Sequence, residues 1–339
     1  MELEKTRAFS RQLADNPIND GCRTPRAACW ARPPAFERDL NLKTSPRVTL
    51  QEVAKEPFRV FFPAGVLAAI AGASLWPLYF GGVVQFYPGQ VHARVMVYGL
   101  FGGFIFGFLG TSLPGLIGAK PFCLLEVVCM VALHLGSVFS LVAGNVLAGD
   151  GLFLALLASF SLCAALRAAR RKDTPPPGFV LVGMAFLCAA AGTVISIIQS
   201  IRELDYFWVA LQRLLAYQGF VLLPILGVGP FILPRFFGVA SRHDFPKTKL
   251  PTKAWRKKAL LALAVGSIIA GSFFVEASGG RIGLAHALRF AATLGFLLSE
   301  TPFQRPREAR ATAWGSRFKS PSLVFWPDTW PSQSSRGIG

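Results

Sequence analysis

The chain has 339 residues, of which 53% are hydrophobic and 16% charged, with a mean hydropathy of +0.46 and a formal net charge of +17. That apolar content is far beyond what one soluble core of this size needs, so the composition excludes an ordinary soluble domain and makes the bilayer the natural solvent. The positive charge does not mark a nucleic-acid surface, because Lys and Arg fall between apolar runs rather than along one amphipathic face.

In chain order, residues 1–56 are polar, carry Asn-Pro, Arg-Pro-Pro and Ser-Pro breaks and show no sustained helical period. They read as a loosely ordered cytoplasmic tail. No basic segment leads directly into an apolar stretch with a small-residue cleavage site, so a removable signal peptide is not expected and targeting falls to the first span. Residues 57–299 then read as an all-α, polytopic transmembrane helical bundle. Spans are predicted near Val60 to Phe80, Val95 to Leu116, Cys123 to Ala143, Leu152 to Ala168, Phe179 to Ile198, Leu211 to Leu233, Ala259 to Val275 and Ile282 to Leu298. Residues 300–339 turn rich in Arg, Ser, Pro and Trp, with Trp314, Trp326 and Trp330 among prolines, and no span fits there.

The charges supply an independent check on this count. Alternate loops hold Lys120, then Arg167, Arg170, Arg171 and Lys172, then the eight cations from Arg235 to Lys258, whereas the intervening loops hold Arg94, Arg202 and Arg281. Short cytoplasmic loops carry an excess of Lys and Arg, so eight spans with both termini cytoplasmic put the whole basic set on one side. Cys22 and Cys29 lie in the N-terminal tail, while Cys123, Cys129, Cys163 and Cys188 lie in apolar runs, a scatter that reads as buried thiols rather than a disulfide framework.

Ionisable groups at membrane depth are costly, so those present are the first candidates for chemistry. His243 belongs to a basic loop and reads as solvated. His92 stands at the entrance to the second span, His134 in the outer half of the third and His286 in the outer third of the eighth, so the topology places these three in one half of the membrane. Imidazole binds haem iron and copper, and histidines from different helices facing one cleft would make a cofactor site; hydrogen-bonded or interfacial histidines are the equally open alternative. Arg289, one turn beyond His286, is a candidate for a buried partner or a haem propionate. Glu126 reads as a proton relay or a helix contact, and Arg213, near Tyr206, Phe207 and Trp208, as a snorkelling interfacial cation. Glycines from Gly99 to Gly110 in the second span read as a close-packing face, and Pro224, Gly227, Gly229, Pro230 and Pro234 as a kinked or partly unwound sixth span.

Several stretches resemble one family. They are Pro57-Phe-Arg-Val-Phe-Phe62 before the first span, Val91-His92-Ala93-Arg94-Val95-Met96 opening the second, then Gly107-Phe-Leu-Gly-Thr-Ser-Leu-Pro114 and Gly227-Val-Gly-Pro-Phe-Ile-Leu-Pro234. Together they resemble the NnrS family of bacterial membrane proteins over about residues 56 to 298. The resemblance implies a multi-pass protein of the bacterial inner membrane that binds haem and copper and is linked to the nitric oxide response and denitrification. His92 matches the first histidine of the family's His-Ala-His-Glu-Met segment, while Arg94 stands at the second histidine and Val95 at the glutamate. The reading is therefore an NnrS-like protein with haem b and copper as cofactors, His92, His134 and His286 as ligands, Arg289 beside them, and nitric oxide or another small ligand as partner besides the lipid bilayer. No residue pattern identifies a catalytic base or an electron path, so no enzyme activity is expected. A small-solute permease or channel and a cofactor-free scaffold are the alternatives, the former disfavoured because no internal repeat relates the two halves in sequence.

Overall fold

A computed structural model of the chain describes residues 54–236 and 248–300, with side chains of 234–236 excluded. The N-terminal tail as far as residue 53, most of the basic loop with His243, and the tail after residue 300 lie outside the described residues, as do Cys22 and Cys29.

Eight helices are long and apolar enough to cross a membrane, and the described residues contain no strand. The first is α1, Phe58–Phe80. The second, α2, has three consecutive parts: α-helical Pro88–Arg94, π-helical Val95–Phe101 and α-helical Gly102–Leu116. There follow α3, Leu124–Val142, α4, Val146–Ala169, and α5, Phe179–Ile201. The sixth, α6, is again tripartite: Tyr206–Arg213, a π-helical Leu214–Gly219, and Phe220–Phe236. Last come α7, Lys253–Ala277, and α8, Ile282–Glu300.

Helices are the expected solution because a chain crossing hydrocarbon must satisfy its backbone hydrogen bonds within each segment. The outer surface fits the same solvent. Leu67, Leu125, Leu187, Ile225 and Phe290 are all exposed, an arrangement that would be a liability in water and is ordinary against lipid.

The α-helical starts differ from the hydropathy reading. Helix α2 begins at Pro88 rather than Val95, α4 at Val146 rather than Leu152, and α6 at Tyr206 rather than Leu211. The added turns carry polar residues, Arg94 and Asp150 among them, which lower a hydropathy average but are accommodated because they meet one another inside the bundle. Arg94 is therefore a helix residue and not a loop charge. The irregularity of α6 also lies elsewhere: the helix runs on through Pro224 and Pro230, and the break in its regular ladder is the π segment just before Phe220. Of the four described cysteines, all free, only Cys188 is buried; Cys123 and Cys129 face outward, where lipid is as apolar as a core.

The bundle has two halves with one plan. Helices α1 and α5 are each 23 residues long, and Phe61, Ala64, Ala68, Gly72 and Leu75 of α1 are buried as Val182, Ala185, Ala189, Thr193 and Ser196 of α5 are at matching positions. Helices α2 and α6 each enter a π segment directly after an arginine, Arg94 and Arg213. The pairs α3–α4 and α7–α8 each turn on a residue with positive φ just past the first helix, Gly144 at 83° and Gly279 at 72°, a conformation that favours glycine. Sequence comparison of the halves misses this because apolar residues interchange freely at buried and lipid-facing positions.

Within each half the first two helices touch backbone to backbone. A Cβ at Gly99 would lie 2.6 Å from Ala68 Cβ, and one at Gly103 would lie 2.8 Å from the Phe61 carbonyl oxygen, so the glycine face of α2 serves helix packing. Between the halves, α4 packs on α5, and Phe153 of α4, itself stacked on Tyr98 of α2, meets Phe220 of α6 edge-on with centroids 5.7 Å apart. This seam positions the polar groups described next.

Candidate functional site

The three described histidines do not form one centre. His92 is partly buried near the start of α2; its Nδ1 donates to the Gly72 carbonyl of α1 at 2.9 Å, and its ring meets Trp76 edge-on at 6.1 Å. His134 is 1% exposed on α3, lies against Phe61 of α1 at 5.5 Å between centroids, and its Nε2 has no hydrogen-bond partner. His286 is exposed on α8, which packs chiefly on α7 and α6, whereas the contacts of His92 and His134 are with α1. Among the described residues no three His, Cys, Asp or Glu side chains gather as a metal site.

Each of the three guanidinium nitrogens of Arg289 has a partner. Its guanidinium donates to Ser272 and Glu276 of α7 and to Gln218 of α6, and it lies 4.8 Å from the centre of the Phe273 ring. The side chain thus ties α8 to its neighbours. Glu126 likewise serves structure: it caps α3 by accepting from the Cys123 N–H at 2.8 Å, and it accepts both terminal nitrogens of Arg167 on α4.

The polar site that sequence reasoning missed lies at the seam, at the end of the bundle where α2, α4 and α6 begin and α5 ends. Arg94 is 5% exposed and Asp150 0%. Arg94 Nε donates to Asp150 Oδ1 at 3.2 Å, Arg94 Nη2 donates to Ser196 Oγ at 2.7 Å, and Ser196 Oγ donates to Asp150 Oδ2, closing a triangle across α2, α4 and α5. A third Arg94 nitrogen reaches the Gln90 carbonyl at 3.3 Å. One turn deeper, Tyr98 approaches Thr193, whose own hydroxyl donates to the Ala189 carbonyl. The triangle neutralises the guanidinium and satisfies the carboxylate, which is the condition for holding both away from water.

Beside it lies a cavity of about 480 Å³ lined by α2, α5 and α6, with Gln90, Arg94, Gln199, Gln212, Arg213 and Tyr217 supplying the polar wall. Gln212 is 2% exposed and its Nε2 has no hydrogen-bond partner. The two π segments begin immediately after the two arginines of this wall, and such insertions recur at functional sites because each re-aims the preceding side chains. One signal was available in sequence: Arg94 and Asp150 sit within two turns of the starts of helices that enter from the same end.

The family model described as NnrS protein matches residues 52–308. The chain belongs to the NnrS family. No curated protein and no solved structure matches it. His92 and Arg94 both lie within the matched range, in the last turn of Pro88–Arg94 at the start of α2.

Proposed function

We propose that this NnrS-family chain serves the nitric oxide response and denitrification in a bacterial inner membrane, with both termini cytoplasmic, and that it binds haem b through His134. The observation that carries the haem reading is the His134 imidazole, buried within the bundle with Nε2 unpartnered. A buried nitrogen without a partner is costly in apolar surroundings, and coordination to iron would satisfy it. His134 would hold the haem through Nε2, and the group would supply the affinity for a diatomic gas. His92 is the second candidate, since donation from Nδ1 to Gly72 fixes the ring and leaves Nε2 available as a ligand. His286 and Arg289 stand on α8, away from the α1 contacts of the other two. Copper enters the reading through the family resemblance, without a ligand cage behind it. The orientation is supported by the basic residues at the end of the bundle opposite the Arg94 cavity.

The test is an optical spectrum of the detergent-purified protein, oxidised and dithionite-reduced, with a pyridine haemochrome assay and metal analysis on the same sample. A stoichiometric Soret band that shifts with nitric oxide and disappears in His134→Ala is expected, while His286→Ala should retain it. A folded, colourless and metal-free protein would overturn the cofactor assignment. The Arg94 cavity favours a second reading, a small-solute permease, which solute flux in proteoliposomes tests directly.

A further inference from the structure

We infer that the cavity bounded by α2, α5 and α6 is a binding site for a small organic anion, whose carboxylate or phosphate group is held by Arg94 and Arg213 with the Gln212 amide. This inference does not depend on haem. It gives the ligand class for the cavity that underlies the permease reading, and it stands as a binding statement even if no flux occurs.

Charge is the first argument. The ionisable cations of the cavity wall are both arginines, and the named wall carries no carboxylate. Asp150 sits behind Arg94 with its two oxygens engaged by Arg94 and Ser196, so it neutralises one guanidinium and leaves the second charge of the wall, Arg213, to a ligand. The triangle and the Gln90 contact together use three of the five N–H groups of Arg94, and the remainder suit the planar, two-oxygen face of a carboxylate or phosphate.

Burial is the second. The amide nitrogen of Gln212, enclosed on the wall of the cavity, carries two N–H groups and has the Tyr217 side chain as its one neighbour of suitable kind among the described residues, so a donor is left for a partner that arrives from outside. Size is the third. A volume of about 480 Å³ is in the range of small-molecule sites and well above what a bare inorganic anion fills. Gln90, Gln199, Tyr87 and Tyr217 then offer neutral donors and acceptors for hydroxyl or carbonyl groups on the rest of such a molecule.

An oxyanion head could belong to a soluble metabolite or to a lipid headgroup, and the experiment separates them. The full chain is purified in neutral detergent, and its thermal unfolding is followed against succinate and inorganic phosphate. The same measurement is made in nanodiscs of phosphatidylcholine with and without phosphatidylglycerol. Arg213→Gln is the diagnostic variant, because Arg213 is exposed and its loss leaves the Arg94 triangle intact. Arg281→Gln, at an exposed loop position outside the wall, is the charge control.

Stabilisation by a soluble probe, weakened about ten-fold or more in Arg213→Gln and retained in Arg281→Gln, is the expected result. Stabilisation confined to phosphatidylglycerol, with the same dependence on Arg213, identifies the anion as a headgroup and also supports the site. No response to any probe, or a response that Arg213→Gln leaves unchanged, would overturn the inference.

Discussion

Arg94 and Arg289 are both buried guanidinium groups, and each meets a carboxylate and a serine: Asp150 and Ser196 for the first, Glu276 and Ser272 for the second. Their surroundings differ. Arg289 is enclosed by Gln218 and the Phe273 ring, and its partners lie on adjacent helices of one half. Arg94 spans both halves and stands at the wall of a cavity whose neighbouring amide has an idle donor. A charged residue at membrane depth is therefore not by itself a site; both guanidinium groups make three hydrogen bonds, and what distinguishes a site from a staple is the open, polar-lined volume beside it.

The sharpest way to break this comparison is to remove one counter-charge at a time. Asp150→Ala should cost about 3–5 kcal/mol, because it leaves a guanidinium buried without its partner, and unfolding in detergent measures it. Replacing both members, Arg94→Met with Asp150→Leu, should recover most of that loss while abolishing the response to anions. Glu276→Gln should cost less, about 1–3 kcal/mol, since Arg289 keeps Gln218, Ser272 and the aromatic face. Equal losses from Asp150→Ala and Glu276→Gln would remove the distinction between the two arginines. Ser196→Ala should be the mildest, about 1 kcal/mol, because Arg94 and Asp150 retain their direct bond. A loss as large as that of Asp150→Ala would mean that the hydroxyl, and not the direct ion pair, holds the triangle together.

The span count was readable from apolar run length, and its agreement with the loop charges follows from simple electrostatics. The seam was harder to see. Hydropathy discounts a turn that contains an arginine or an aspartate, so it starts the fourth span at Leu152, after Asp150, and leaves Arg94 in a loop, although each charge is what makes the other tolerable. The partner of Arg289, Glu276, escaped for a similar reason, lying just past the predicted end of the seventh span at Val275. The π segments were invisible because neither Val95–Phe101 nor Leu214–Gly219, the latter with Tyr217 and Gln218, carries a residue pattern that marks an extra residue; only the hydrogen-bond ladder reveals it. The histidines were visible as residue types, but their depth says nothing about azimuth, and azimuth separates His286 from the other two.

A π turn is, in effect, a one-residue insertion absorbed without breaking the helix, and it fixes where everything before it points. Removing a single residue from Val95–Phe101 would restore the regular ladder and swing the entrance turn by about 100° around the helix axis, carrying Gln90, His92 and Arg94 with it. Substitutions can change these side chains one by one, whereas a one-codon indel re-aims all of them together. The register of this short segment, which lies outside the cavity wall, thus works as the setting of a dial for the polar mouth of the bundle.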